Sequence, residues 1–428
     1  MRCEGAERNA RRDAAPPRLA GGRGGSRAAG RVVERPRDPP PELWSAIGGA
    51  RRRRPPAGLG CMLGRMGAPY PVAALDVSDR RNVYYWTAKT IAMLGHRFLV
   101  RPHVEMDEDV AALKRRGGAV FLYCGLHKSL WETSGVLPPL HLAGLPVPYV
   151  GMGDNLVKGR LFQDLSWKIG AFLVRRPANR KEMLESARKL RDDVLSFLAH
   201  GLDVMVFPEG TRKNIPEHAR YGDFFPTAFD AALEYARNRD LILASNPGLA
   251  PREVYVVPFN VDYTRVREAE EMVGDGSGKP RTLHVLDSLS MIRNIGDTYL
   301  SYGKPVRVAD HLDIDRKGLA ALARQRCLDL VKILPVNVAS RAILQFEPGA
   351  AVSPTAFDEA MRRVIDALRP YADRFRGFRP GDAQAEIVRR AAQVELDFHR
   401  LVPEKVRLYR LYASYIAHYL ESAPALAC

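Results

Sequence analysis

Short apolar runs alternate with helix-like segments from Ala119 onward, and this alternation constrains the fold more than any other feature. Ala119–Cys124 is a continuous apolar run bounded by glycines, which is typical of a strand buried on both faces. Asn179–His200 carries apolar residues at helical spacing, and Asn179 with Glu182 three residues later indicates where that helix begins. The pattern predicts an α/β domain in which helices flank a sheet.

The same reasoning predicts further elements along the chain. Strands are expected at Pro146–Val150, Asp203–Phe207, Glu253–Tyr263, Thr282–Leu286 and Pro305–Val308, with a helix at Thr227–Arg239. Pro258 lies inside one of these strands, and because proline cannot donate a ladder hydrogen bond we expect an edge or a bulge there. Beyond Asp310 the strands cease, and helices are expected at Lys317–Leu334, Pro354–Tyr371 and Ala383–Leu420.

Residues 1–61 have a different composition. They contain 18 Gly or Pro residues, 14 Arg and six acidic residues, so they account for half of the net charge of +16. Few large apolar residues are present to form a core, and we expect this tail, taken as residues 1–66, to be disordered. No apolar segment of the signal-peptide type follows the first charges. Translation that begins at Met62 or Met66 is an alternative explanation of the tail.

Residues 67–116 are expected to form a helical N-terminal segment. Within it, Val83–Val100 is amphipathic, with Tyr84, Tyr85 and Trp86 at one end, and charged residues interrupt it too often for a membrane span. This stretch could lie in a bilayer interface or pack on the core as an ordinary helix, and the sequence leaves both open. The five scattered cysteines indicate neither a disulfide framework nor a zinc site, which fits a reducing cytoplasmic compartment.

His127 and Glu132 follow the first predicted strand, at the position where α/β proteins place their sites. Five residues on one regular helix turn through about 500°, which leaves the two side chains about 140° apart. The pair can therefore meet only if His127 lies on the entering loop and Glu132 on the first helical turn. Ser129-Leu130-Trp131-Glu132 fits this condition, because Ser-x-x-Glu is a capping-box pattern. The same pattern allows the alternative that Glu132 only caps a helix.

Two further segments carry cations after an apolar run. In Phe207–Lys213 (FPEGTRK), a glycine turn, a hydroxyl and two cations could cradle a phosphate group, or could form an ordinary solvated turn. Gly170–Arg176 (GAFLVRR) places two arginines directly after its apolar residues. The basic charge of the body is compatible with anionic partners such as phosphorylated metabolites, coenzyme A or anionic lipid.

Together these segments resemble, in order, the blocks of the glycerolipid acyltransferase superfamily, in the branch that contains glycerol-3-phosphate and dihydroxyacetone-phosphate acyltransferases. The family blocks are His-x-x-x-x-Asp, Gly-x-x-Phe-Ile-Arg-Arg, Phe-Pro-Glu-Gly-Thr-Arg and a Val-Pro strand. They correspond here to His127–Glu132, Gly170–Arg176, Phe207–Arg212 and Val257-Pro258. The resemblance implies a mixed sheet flanked by helices, the glycerolipid acyltransferase fold, with a catalytic domain at 117–310. Residues 311–428 would be a helical C-terminal extension.

The resemblance also implies a chemistry for these residues. His127 would act as general base on the acceptor hydroxyl, since imidazole titrates near neutral pH, and Glu132 would orient it. Glu132 stands where the family has aspartate, so its carboxylate reaches one methylene further. The substrate-binding residues that the resemblance implies are Arg175, Glu209, Gly210, Thr211 and Arg212, with Lys128, Arg176, Lys213 and Arg220 as supporting cations.

The expected function is transfer of a fatty acyl group from acyl-CoA or acyl carrier protein to glycerol 3-phosphate in phospholipid biosynthesis. No cofactor or metal is expected beyond the acyl thioester co-substrate, and we expect the protein on the cytoplasmic face of a membrane, bound peripherally or monotopically. The alternatives are acylation of 1-acylglycerol 3-phosphate or another hydroxylated lipid, and a non-catalytic lipid-binding relative. A nucleic-acid-binding protein would explain the charge but not the four ordered blocks.

Overall fold

A mixed sheet with packed helices organises the part of the chain that the computed structural model describes. The described residues are 70, 72, 90, 101–129, 132–154, 166–168, 170–176, 179–210, 221–266, 268–273, 296–394 and 396–421. The strands are β1 (Arg101–Met106), β2 (Ala119–Gly125), β3 (Tyr149–Gly153), β4 (Ala171–Val174), β5 (Val204–Val206), β6 (Glu253–Tyr263), β7 (Asp297–Tyr302) and β8 (Val306–Arg307). The helices are α1 (Glu108–Arg116), α2 (Glu132–Leu142), α3 (Arg180–Ala199), α4 (Thr227–Ser245), α5 (Ala269–Val273), α6 (Arg316–Leu328), α7 (Pro335–Ile343), α8 (Pro354–Leu368), α9 (Gln384–Ala391) and α10 (Val406–Ser414). The predicted α/β class is confirmed.

β2 lies at the centre of the eight-stranded sheet, whose order is β1-β7-β6-β2-β5-β3-β4, with β8 paired to β6. The strands from β6 to β4 in this order are parallel, whereas β7 is antiparallel to β6 and β1 is parallel to β7. Every residue of β2 is buried, as expected for a parallel strand that is covered on both faces. The carboxyl ends of β2, β5, β3 and β4 therefore lie along one edge of the sheet.

Pro258 lies in β6, a central strand, so the expectation of an edge is wrong, whereas the antiparallel pairing beside it is irregular, as at a bulge. It pairs in regular register with Cys124 of β2. On its other side β6 changes partner, from β8 at Val256 to β7 at Phe259. The Pro258 carbonyl oxygen accepts a hydrogen bond from Gly303 N (2.8 Å), in the turn between those two strands. The missing N–H falls at this break in the ladder, where it costs no strand–strand hydrogen bond.

α3 begins where the sequence predicts. The Asn179 side chain accepts a hydrogen bond from Glu182 N (3.0 Å), and Glu182 lies in the first turn. Gly201 follows the helix with φ of +71°, a left-handed conformation that ends many helices and that glycine adopts without strain. The helix packs against α4 and returns the chain to β5, the strand that leads to Phe207.

The N-terminal segment differs from the expectation. The sequence predicts a helical segment at residues 67–116, but within it Arg101–Met106 is strand β1, so the sheet begins before residue 117. β1 lies at the edge of the sheet, where polar residues protect a strand, and it therefore lacks a continuous apolar run. The tail of residues 1–66, Val83–Val100 apart from Thr90, and the predicted strand Thr282–Leu286 lie outside the described residues.

The described residues after 310 are mainly helical, as expected, but the boundaries differ. α6 ends at Leu328, and Pro335 opens the separate helix α7, since proline is tolerated in the first turn of a helix. The predicted helix Ala383–Leu420 is divided into α9 and α10, with 3₁₀ turns at Ala392–Val394 and Pro403–Lys405 between them. The C-terminal region is therefore a set of short helices.

This C-terminal region packs directly on the central strand. The Cys327 thiol of α6 donates a hydrogen bond to the carbonyl oxygen of Cys124 in β2 (3.3 Å). Among the described residues, the C-terminal helices and the sheet share one hydrophobic core. None of the helices that the structure describes is long and apolar enough to cross a membrane.

Candidate active site

His127 lies on the loop after β2, and Glu132 is the first residue of α2. This is the arrangement that a contact between them requires, and His127 Nδ1 lies 2.6 Å from Glu132 Oε2. The Glu132 side chain is fully buried, whereas the His127 side chain is 21% exposed. Because Nδ1 is bound to the carboxylate, Nε2 is the ring nitrogen that remains for a substrate hydroxyl.

Glu132 also holds the loop that precedes α2, so it does more than the alternative of a helix cap requires. Its Oε1 accepts hydrogen bonds from the backbone N–H groups of Ser129 (2.9 Å) and Lys128. Its Oε2 faces His127. One carboxylate therefore satisfies two backbone N–H groups of the loop and fixes the imidazole at the same time.

Glu209 holds the same loop from the side of β5. Its Oε1 accepts a hydrogen bond from His127 N (3.0 Å), and its side chain is buried. The resemblance implies that Glu209 contacts the acceptor, whereas the contact seen in the structure is with the histidine backbone. Its role toward the acceptor stays a prediction.

Two more carboxylates contact the loop. Lys128 forms an ion pair with Asp262, near the end of β6, and Ser129 Oγ donates a hydrogen bond to Glu268 Oε1 (2.8 Å). All four of these residues are buried. We call the acidic side chains that hold residues 127–129 the carboxylate clamp: Glu132, Glu209, Asp262 and Glu268. They come from separate parts of the chain, so the loop is fixed from several directions.

Lys128 does not have the position expected of a cation that supports acceptor binding. Its side chain is 1% exposed. Its ammonium group lies over the rings of Tyr221 (5.4 Å to the centroid) and Tyr415 (5.3 Å), in addition to its pairing with Asp262. An ammonium enclosed by a carboxylate and two aromatic faces has its partners within the protein.

Burial changes the ionisation of the clamp. Loss of water contact raises the pKa of Glu132, and the His127 ring and the N–H groups of Lys128 and Ser129 oppose this shift. Burial also raises the pKa of Glu209 to about 6, opposed first by the His127 N–H group. Within the described part of the chain, no group of three or more His, Cys, Asp or Glu residues could hold a metal ion.

Aromatic side chains fix the face of the imidazole. The Phe207 ring stacks on the His127 ring, with centroids 4.7 Å apart and planes inclined by 28°. Phe259 packs edge-on against Phe207, with centroids 5.6 Å apart. Gly125 makes room for Phe259, because a Cβ atom at that position would overlap its ring. We call Gly125, Phe259 and Phe207 the aromatic brace; it holds the flat side of the ring while Glu132 holds its edge.

Gly210 closes a tight turn after β5. Its N–H donates a hydrogen bond to the Phe207 carbonyl oxygen (3.1 Å), and its φ is +74°. Glycine is required twice over, because a Cβ atom would be strained at this φ and would overlap the Phe225 ring. The next residues of this segment that the sequence indicates lie outside the described residues: Thr211, Arg212, Lys213 and Arg220.

Arg175 and Arg176 lie at the same edge of the sheet, farther from His127. They follow β4, which is separated from β2 by β5 and β3, a lateral distance of about 14 Å at the usual strand spacing. The Arg175 carbonyl oxygen accepts a hydrogen bond from Ser186 Oγ (2.7 Å), and Arg176 N donates one to Asp154 Oδ1 (3.1 Å). Their backbone is thus fixed while both side chains are exposed.

Sequence reasoning does not identify Asp262 and Glu268 as parts of the site. They lie 134 residues from Lys128 and 139 residues from Ser129, respectively. A usable signal exists at Asp262, because a charged residue in a buried strand requires a partner. No local pattern marks Glu268.

The chain is similar to known acyltransferases. A family model described as Acyltransferase matches residues 82–262. Similar curated proteins are the glycerol-3-phosphate acyltransferases of Baumannia cicadellinicola subsp. Homalodisca coagulata (25% identity over 197 residues, 44% of this chain and 22% of the relative), Pseudoalteromonas atlantica (24% over 214 residues, 49% and 24%) and Hamiltonella defensa subsp. Acyrthosiphon pisum (23% over 234 residues, 53% and 26%). The chain thus spans about a quarter of the length of these relatives.

The mixed sheet and the match to the Acyltransferase family model identify an O-acyltransferase domain. Over residues 82–262 the chain is similar to the Acyltransferase family, and the similar curated proteins are glycerol-3-phosphate acyltransferases.

Proposed function

We propose that this protein transfers a fatty acyl group from an acyl thioester, either acyl-CoA or acyl carrier protein, to a hydroxyl of glycerol 3-phosphate. His127 is the proposed general base. The observation that carries the proposal is the 2.6 Å contact between His127 Nδ1 and the fully buried Glu132 carboxylate, beside the carboxyl ends of parallel strands. The names of the relatives support the acceptor.

The proposed reaction needs no protein nucleophile. His127 Nε2 takes the proton of the acceptor hydroxyl while the hydroxyl oxygen attacks the thioester carbonyl carbon. The C–S bond then breaks, and the departing thiolate takes the proton from the imidazolium. Glu132 stabilises the imidazolium between these two steps, as the acidic member of a hydrolase triad does. The thioester supplies the acyl group, so no further cofactor enters the scheme.

The proposed phosphate site includes Arg175, with Thr211 and Arg212 on the segment that continues from Gly210. Exposed guanidinium groups bind phosphate through paired, charge-assisted hydrogen bonds. Arg175 is exposed at the carboxyl edge of the sheet that also carries His127, which supports this role. Arg176 is a supporting cation in the same loop.

The test uses purified protein, long-chain acyl-CoA and three acceptors: glycerol 3-phosphate, 1-acylglycerol 3-phosphate and glycerol. Mass spectrometry of the lipid products should show acylation of glycerol 3-phosphate, and His127→Ala should lower the rate by about 10²- to 10⁴-fold. His200→Ala is the matched control, because His200 Nδ1 contacts the Ser196 carbonyl oxygen of α3, outside the site. Wild-type activity in His127→Ala would refute the base, and preference for 1-acylglycerol 3-phosphate would refute the acceptor.

We also propose that the protein works on the cytoplasmic face of a membrane, bound peripherally or monotopically. Long-chain acyl donors and acylated products partition into bilayers, and a basic protein is attracted to anionic lipid. The net charge of +16 supports this second contribution. Flotation with vesicles of neutral phospholipid, with and without an anionic phospholipid, tests the proposal. Absence of the protein from both vesicle fractions would contradict it.

A further inference from the structure

The Lys128 ammonium group occupies an enclosure built by residues from distant parts of the chain. Asp262 of β6 supplies the carboxylate, and Tyr221 and Tyr415 supply the two aromatic faces. Tyr221 OH also donates a hydrogen bond to the Tyr415 carbonyl oxygen (3.3 Å), which ties these two residues together. A lysine with 1% of its side chain exposed has lost its water, so these contacts must replace hydration.

The C-terminal region supplies more than the Tyr415 ring. Asp262 Oδ2 accepts hydrogen bonds from Asn260 Nδ2 (2.6 Å) and from the backbone N–H of Lys332 (2.8 Å). Lys332 lies between α6 and α7, so the C-terminal region also holds the carboxylate that pairs with Lys128. Both sides of the enclosure therefore depend on residues after 310.

His418 is a neighbouring ring in this enclosure and does not bring a second charge. Its ring lies 5.8 Å from the Tyr221 ring, measured between centroids. Burial lowers the pKa of His418 to about 3, and the positive charge of Lys128 adds to that effect. His418 is therefore neutral at neutral pH, and Lys128 does not face a second cation on this ring.

Tyr415 directly follows α10, and the last turn of that helix is anchored through Tyr412. The Tyr412 hydroxyl accepts a hydrogen bond from Val266 N (3.1 Å), just beyond β6, and the Tyr412 carbonyl oxygen accepts one from Asn337 Nδ2 (2.9 Å). The segment that carries Tyr415 is thus attached both to the sheet and to α7. A ring fixed in this way can fix the lysine beside it.

We propose that Tyr415 is a positioning residue for the catalytic loop, that it acts through Lys128, and that the C-terminal helical region thereby completes the active site. The link to the chemistry is short. Lys128 directly follows His127, and its backbone N–H is bound to the Glu132 carboxylate that also orients the imidazole. If the Lys128 side chain moved toward water, the peptide between these residues would move with it. The inference rests on the proposed role of His127 as general base.

The test is a double-mutant cycle in the full-length protein with Tyr415→Leu, Lys128→Met and the two together. Tyr415→Leu should lower kcat by between about 10- and 100-fold, because small displacements of a catalytic group are costly. The KM for glycerol 3-phosphate should change by less than about twofold, since the loss concerns the transition state. Tyr415→Phe keeps the ring and should behave as wild type. In the Lys128→Met background, Tyr415→Leu should have no further effect on kcat.

The matched control is Tyr371→Leu, which removes a tyrosine that stacks on Tyr419 (4.5 Å between centroids) in the same C-terminal region. It should lower thermal stability without a change in kcat. Additive effects of Tyr415→Leu and Lys128→Met on kcat, or a Tyr415→Leu protein with reduced stability and unchanged kcat, would overturn the proposal.

A second measurement covers the case in which Lys128→Met does not fold. Amide hydrogen exchange of the peptide that contains residues 125–132 should be faster in Tyr415→Leu than in wild type, and unchanged in Tyr371→Leu. Equal exchange in both variants would overturn the inference. His127→Ala, measured in the same series, separates this failure from a failure of the proposed function, because wild-type activity in that variant would refute the base alone.

Discussion

The loop after β2 and the loop after β4 lie at the same edge of the sheet but are built differently. Residues 127–129 are held by four acidic side chains, and Lys128 and Ser129 are buried. In the other loop, the backbone of Arg175 and Arg176 is hydrogen-bonded, whereas both side chains are exposed. One loop is fixed down to its side chains, and the other is fixed in its backbone alone.

This contrast separates two chemical requirements. A group that transfers a proton must be held close to its productive geometry, and buried charge-assisted hydrogen bonds provide that constraint. A group that captures a charged substrate from water remains hydrated until the substrate arrives, which favours an exposed cation on a fixed backbone. Substitutions in the first loop should therefore change kcat or stability, and those in the second should change KM.

Glu132→Gln should give the largest effect and would test whether the first loop is a catalytic device. The amide oxygen can still accept the Lys128 and Ser129 N–H groups, but the amide NH₂ would then face His127 Nδ1 and favour the tautomer with the proton on Nε2. We expect kcat to fall by between about 10²- and 10⁴-fold, with little loss of thermal stability. Steady-state kinetics and a melting curve measure both quantities.

Glu132→Asp is the control for that variant, because it keeps the charge and restores the residue found in the family. It should retain more activity than Glu132→Gln. Equal activity of the two variants would mean that the charge of this side chain does not matter.

Arg175→Ala should give the next largest effect, and it concerns the second loop. Loss of a charge-assisted contact to phosphate should raise the KM for glycerol 3-phosphate by between about 10- and 100-fold. Stability should not change, because the side chain is exposed. Arg188→Ala, at an exposed position on α3, is the control and should leave KM unchanged. A fall in kcat at constant KM in Arg175→Ala would contradict the division between the loops.

Glu209→Gln should reveal how much the ionised, buried Glu209 carboxylate lowers the free energy of unfolding. Burial raises the pKa of Glu209 from its ordinary value of 4.5 to about 6. The folded protein therefore loses stability as pH rises through this interval, up to about 2 kcal/mol above pH 6. The glutamine does not titrate, so the unfolding free energy of Glu209→Gln minus that of wild type should increase by this amount.

Urea unfolding at several pH values between about 4.5 and 7.5 measures this difference. A difference that does not depend on pH would show that Glu209 has an ordinary pKa. A difference that decreases with rising pH would show that the donors around the carboxylate outweigh its burial.

Phe207→Leu should give the smallest effect, since the aromatic brace acts only on the face of the ring. Removal of the stacked ring should lower kcat by about tenfold, because the imidazole gains freedom around its bond to Glu132. Phe207→Tyr should restore most of the activity. The control is Phe357→Leu, which disrupts a contact with Phe398 in the C-terminal region and should affect stability alone. Equal kcat losses in Phe207→Leu and Phe357→Leu would show that the aromatic brace has no specific effect on catalysis.

Local patterns predicted the features that depend on local chemistry. The continuous apolar run of β2 is a property of six adjacent residues. The start of α3 is fixed by the hydrogen bond between Asn179 and Glu182, which are only three residues apart. Helix geometry gave the one placement in which His127 and Glu132 can meet, and the structure shows that placement, but the local sequence left the alternative of a helix cap open. The implied roles of the arginines and of Glu209 in acceptor binding stay predictions.

The rest depends on tertiary contacts that no local pattern encodes. β1 is an exposed edge strand and carries no apolar run, so its sequence does not distinguish it from the helices around it. The positive charge of Lys128 would suit phosphate binding, and only the folded chain shows that Asp262 and Tyr415 enclose it. Pro258 is tolerated in a central strand because the partner of β6 changes from β8 to β7 at this position, which leaves a gap in the ladder.

The hydrogen bond between Ser129 and Glu268 has a consequence for the order of events. The Ser129 hydroxyl lies two residues from His127, but it is buried and donates its proton to the buried Glu268 carboxylate. It is therefore not placed to act as a nucleophile that carries the acyl group. In a direct transfer, the thioester and the acceptor must occupy the sheet edge together. Their initial rates would then give intersecting rather than parallel double-reciprocal plots, and the free thiol would leave only after the second substrate has arrived.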